Sequence, residues 1–60
     1  MRISKKKIYE AFYFYKLKHK EKELWDGLDG WSIFEHGKHY EAINEIEFKS
    51  NKDIYNYLKA

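Results

Sequence analysis

Trp31-Ser32-Ile33-Phe34-Glu35-His36-Gly37-Lys38-His39-Tyr40-Glu41-Ala42 is the stretch whose reading decides the fold. Trp31 to Phe34 is aromatic and β-branched and reads as a strand, with His36-Gly37 at the tip of a hairpin. Pairing Glu35 with Lys38 sets opposite charges across that turn. Ile33 then faces Tyr40 and Trp31 faces Ala42, which leaves one apolar face. Ile46 and Phe48 extend the second strand on the same face, and Asn44 interrupts it, so a bulge or break is expected near Ile43-Asn44.

Upstream, Asp26-Gly27-Leu28-Asp29-Gly30 holds two Asp-Gly turn signals that end whatever precedes them. Before it, Ile8, Ala11, Phe12 and Tyr15 follow helical spacing, His19 continues the stripe, and Ser4 is placed to cap the start. Lys5 to Lys7 sit against the positive end of that helix dipole. Tyr13, Leu17 and Leu24 form a second stripe, almost opposite the first on the same helical wheel. A helix with two opposed stripes keeps one uncovered after packing on its own sheet. The Phe/Tyr run through 13–18 also suits a strand, but the periodicity favours helix. Downstream, Ser50 and Asp53 have near-capping-box spacing, and Ile54, Tyr57 and Leu58 give a short closing helix its apolar side. The order helix, strand, strand, helix predicts an α+β domain over residues 1–60, with two helices on one face of an antiparallel hairpin sheet.

Sixty residues hold one domain, and a chain this short buries only about 60% of the surface its unfolded form exposes. With no cysteine it has neither a disulfide nor a thiolate zinc site to reinforce it. Two Trp, six Tyr and four Phe are the material for a core. No apolar stretch is long enough to span a bilayer and no signal-peptide pattern follows the basic N-terminus, so a cytoplasmic location is the default expectation. Eleven Lys to one Arg, with abundant Ile, Tyr, Phe and Asn, is the mix an AT-rich genome encodes. A low-GC bacterium, or a phage or plasmid of one, is the expected source.

The net charge of +2 conceals an asymmetry. Residues 1–22 carry eight basic groups against Glu10 and Glu21, whereas residues 23–60 carry four lysines against eight acids. One end of the molecule should attract anions and the other repel them.

Few constellations point to chemistry. His36-Gly-Lys-His39 places two imidazoles near the hairpin tip, and only His19 or an acid such as Glu35 could add the further ligands zinc needs. Gly27-Leu28-Asp29-Gly30-Trp31, followed across the hairpin by Glu47-Phe48-Lys49, resembles the PD-(D/E)xK nuclease pattern. That resemblance implies a divalent ion held by Asp29 and Glu47, with Lys49 positioning the attacking water. The register above sets Asp29 and Glu47 on opposite faces, with Asp26 across from Glu47 instead. No triad, Gly-rich phosphate loop, small-molecule site or cofactor motif is present, so catalysis is the minor reading.

Binding is the major one, and it takes two forms. In the first, Tyr13, Leu17, Lys20 and Leu24 form an interface for a protein, either a larger cellular protein that the chain regulates or inhibits, or a second copy in a homodimer. In the second, Lys16, Lys18, Lys20 and Lys22 contact nucleic-acid phosphates, with salt-dependent and largely sequence-blind affinity. Near absence of arginine, the usual base reader, favours the first. No membrane partner is expected.

Overall fold

Ser4 opens the first helix as its spacing predicts: its hydroxyl accepts the Lys7 N–H at 3.3 Å, a cap worth about 1 kcal/mol. The structure, a computed structural model, describes residues 2–60. Helix α1 spans Lys5–Lys18 and buries Ile8, Ala11 and Phe12. Residues 13–18 are therefore helical despite their strand propensity. Lys5, at the unfavourable end of the dipole, is met by Asp26 at 3.2 Å. At the other end the His19 N–H closes on the Tyr15 carbonyl at 3.1 Å, and its ring stacks on Tyr15 with centroids 4.3 Å apart.

The chain then turns through Lys20 and Glu21 into three strands: β1 Lys22–Gly27, β2 Gly30–His36 and β3 Ala42–Phe48. They form an antiparallel sheet in the order β1-β2-β3. The α+β class stands, but the sheet has three strands where the sequence reading placed two. Leu24 lies on β1, opposite Ile33, and not on a helix with Tyr13 and Leu17. Its spacing fitted the helical wheel, but the turn at 20–21 separates it from α1.

Gly27 and Gly30 close the β1–β2 hairpin around Leu28-Asp29. Gly30 must be glycine: its φ is 138°, and a Cβ there would overlap the Phe48 carbonyl oxygen.

The second hairpin is longer than expected. A 3-10 turn over Lys38–Tyr40 lengthens the loop, and the Gly37 N–H bonds the Glu41 carbonyl at 2.7 Å. The pairs are His36 with Ala42, Ile33 with Ile46 and Trp31 with Phe48, not Ile33 with Tyr40 and Trp31 with Ala42. The two-residue turn failed because His39 and Tyr40 both take left-handed backbone, which a turn tip at His36-Gly37 does not provide for. The expected bulge is present at Asn44 (φ 53°), where the register shifts between Ile33 and Glu35. Beyond it Ile46 and Phe48 do share the face of Ile33 and Trp31.

Helix α2, Asn51–Lys59, starts with Ser50 accepting the Asp53 N–H at 3.1 Å, and buries Ile54 and Leu58. Both helices lie on the same face of the sheet, over Trp31 and Ile33. Ile8, Ile33 and Ile54 are fully buried, each contributing about 1.5–3 kcal/mol of transfer free energy. Asn51 joins the layers: its side-chain oxygen accepts the Trp31 indole N–H at 2.7 Å, and its amide donates to the Ile3 carbonyl at 2.8 Å.

Candidate functional site

Successive residues in a helix are 100° apart, so residues four apart fall almost in line. Tyr9, Tyr13 and Leu17 therefore form one row along the outer side of α1, with Phe14 beside them. They are 50, 65, 58 and 64% exposed, in that order with Phe14 last. Tyr9, Tyr13 and Leu17, over the buried Phe12, line a cleft of about 470 Å³, and Lys16 and Lys20 form its rim. Phe14 stands edge-on to Tyr13, centroids 5.4 Å apart.

Three of the four expected interface residues, Tyr13, Leu17 and Lys20, thus meet at one cleft. Leu24 does not; half-buried on β1, it packs against the core. Tyr9 and Phe14 belong to the same apolar side and were missed. Their signal was available in the unusual density of aromatics at 9–15.

The expected phosphate contacts divide differently. Lys16 is paired with Glu23 at 3.0 Å. Lys22, on the sheet, is paired with Glu35 at 2.8 Å in a half-buried setting. That hydrogen bond holds the Lys22 ammonium above its ordinary pKa and is the main reason the Glu35 carboxyl lies below its own, with Asn44 also donating to Glu35 at 3.3 Å. Lys18 and Lys20 form no ion pair among the described residues.

On the opposite side of the molecule the sheet has an uncovered face. Strand alternation sends Trp25, Phe34, Glu45 and Glu47 to that side, and Ser32 too, although it is only 7% exposed. The Trp25 indole lies over Gly27, where a Cβ would come within 2.9 Å of its nitrogen. Beside it a cleft of about 530 Å³ is lined by Asp29, Glu47 and Lys49 together with Ser32. The three residues of the nuclease resemblance are therefore brought to one cleft, and the expected separation of Asp29 from Glu47 is corrected. Asp26 is not opposite Glu47: it pairs with Trp31 in the sheet and faces α1, accepting from the Tyr9 hydroxyl at 3.4 Å. Among the described residues no group of three or more His, Cys, Asp or Glu is placed to hold a metal ion. His36 instead meets the rings of Phe34 and Tyr40 edge-on, at 5.4 and 5.9 Å.

No helix among the described residues is long and apolar enough to cross a membrane. No protein-family model, curated protein or solved structure matches the chain.

Proposed function

We propose that the chain is a protein-binding module that docks its partner on the outer side of α1, with Tyr13 and Leu17 as anchors and Lys20 at the rim. The observation that carries this reading is the exposure of four large apolar side chains on one helix. Contiguous apolar surface of that kind, edged by charge, is the usual mark of an interaction site. Lysine at the rim suits a partner that brings acidic groups, steering encounter while the apolar centre sets the lifetime of the complex. A cytoplasmic regulator or inhibitor of a larger protein is the role consistent with this size and surface. The phosphate-binding alternative is weaker, because Lys16 and Lys22 are neutralised by Glu23 and Glu35.

Affinity capture from a low-GC bacterial lysate tests the reading. A partner should be retained after nuclease treatment and lost at least about tenfold by Tyr13→Ala combined with Leu17→Ala, with the melting temperature unchanged. Capture that nuclease abolishes, or that the double variant leaves intact, overturns it.

A further inference from the structure

We infer that the outer side of α1 docks on the uncovered sheet face of a second copy of this chain, head to tail. This rests on the reading of α1 as a docking surface and names its occupant.

The argument begins with charge. The three ion pairs among the described residues use Lys5, Lys16 and Lys22, so Lys6, Lys7, Lys18 and Lys20, all on or next to α1, have no anionic partner. Glu10 is the single acid within the helix. On the sheet face Glu45 and Glu47 have no cationic partner among the described residues either. The asymmetry in the sequence therefore becomes a mainly basic side on α1, where Glu10 lies among Tyr13, Phe14 and Leu17, and a mainly acidic side on the sheet, where Asp29, Glu45 and Glu47 outnumber Lys49.

The apolar parts are matched as well. Leu17, Tyr13 and Phe14 project from one face, and Trp25 (62% exposed) with the half-buried Phe34 lies on the other. Size agrees too. A 14-residue helix is about 21 Å long, and three strands of six or seven residues present a face about 14 Å wide and 20 Å long. The sheet already carries helices on its other face, so a helix laid across it completes a helix–sheet–helix sandwich. A standard contact takes about 800 Å² from each partner, roughly one sixth of this chain's 4998 Å².

The two faces differ, so the contact is heterologous, and an assembly of any length keeps one free helix face at one end and one free sheet face at the other. Sedimentation equilibrium from about 10 µM to about 1 mM should show average mass rising past that of a dimer at low salt, and falling toward the monomer at about 1 M salt. Leu17→Glu blocks the helix face, and Glu45→Lys with Glu47→Lys blocks the sheet face. Each variant alone should sediment as a monomer with an unchanged circular dichroism spectrum. Mixed in equal amounts they should form a dimer and stop there, because one supplies the intact helix face and the other the intact sheet face. A wild-type chain that stays monomeric at about 1 mM overturns the proposal. So does a mixture that fails to pair, or self-association that survives the sheet variant but not Leu17→Glu. The last result leaves α1 as a docking surface in a symmetric dimer. Monomeric wild type leaves the docking surface itself to be decided by the Leu17-dependent capture above.

Discussion

α1 and α2 lie over the same face of the same sheet, and each buries one stripe against it. In α2 the large apolar side chains are all engaged: Ile54 and Leu58 are buried, Tyr55 packs against the core, and Tyr57 meets the Phe48 ring at 5.2 Å. α1 buries Ile8, Ala11 and Phe12, leaves Tyr13, Phe14 and Leu17 mostly in solvent, and half-covers Tyr9, whose ring meets Trp31 edge-on at 5.6 Å. An amphipathic helix is fully used by its own fold, whereas one apolar on both sides carries surface that the fold does not need. In a chain with so thin a stability margin, that surplus has to be accounted for by something other than folding.

The largest effect should come from the seat the two helices share. Trp31 is 3% exposed and belongs to the cluster that both helices contact. Trp31→Ala should cost about 3–5 kcal/mol, enough to unfold most of the population of a domain this small. Trp25→Ala, on the uncovered face, should change stability by no more than about 0.5 kcal/mol. Urea denaturation of both variants checks the contrast, and equal losses would mean that the sheet is buried on both faces.

The next effect separates the helices by their polar ties. Asn51, at the first turn of α2, satisfies both the Trp31 indole N–H and the Ile3 carbonyl. Asn51→Ala leaves both without a partner and should cost about 1–3 kcal/mol. In α1 the outer polar groups are exposed, and Lys18→Ala should be silent. A silent Asn51→Ala would show that water replaces the tie and that α2 is held by its apolar stripe alone.

Where the helices meet, stability should depend on pH at the alkaline end. Burial, with the neighbouring Tyr57 phenol and the Glu21 charge, pushes the Tyr15 phenol up to about 12. In the unfolded chain it ionises near 10. Between those values the unfolded state releases a proton that the folded state keeps, so stability falls as pH rises through about 10 to 12. The raised Lys22 ammonium acts in the same direction, since its stabilisation is lost as pH rises through its folded pKa. Melting temperatures from pH 9 to 12 should decline less steeply in Tyr15→Phe than in the wild-type chain. Identical slopes would mean that Tyr15 titrates in the folded state as it does in the unfolded one.

Legibility in the sequence followed local chemistry. Both caps, the α1 core stripe and the bulge at Asn44 could be read because each depends on neighbours close along the chain, and the shared face of Trp31, Ile33, Ile46 and Phe48 because apolar residues alternate within each strand. β1 could not, because Leu24 satisfied a helical spacing as well as a strand one. Only the Asp-Gly hairpin signal, flanked by apolar residues on both sides, would have separated the two. The second hairpin's register was hidden by left-handed backbone at His39 and Tyr40, residues that carry no turn signal of their own. At the candidate site, Tyr13, Leu17 and Lys20 were legible from helical geometry. Placing Asp29 with Glu47, or exposing Trp25, required the true register.

The smallest expected effect is the one that most sharpens the contrast between the helices. Leu17 is 58% exposed and contributes little to burial, and alanine is at least as good a helix former as leucine. Leu17→Ala should therefore leave folding free energy within about 0.5 kcal/mol of the wild-type value. Ile54→Ala, the equivalent truncation on the buried side of α2, should cost about 2–5 kcal/mol. Because a marginally stable domain reports small losses clearly, thermal melts at one low protein concentration suffice to compare them. The concentration matters: if copies pair through α1, Leu17→Ala will lower the melting temperature at high concentration and not at low. A loss that persists undiminished on dilution would place Leu17 in the core of the single chain. The outer side of α1 would then be part of the fold, and the difference between the two helices would vanish.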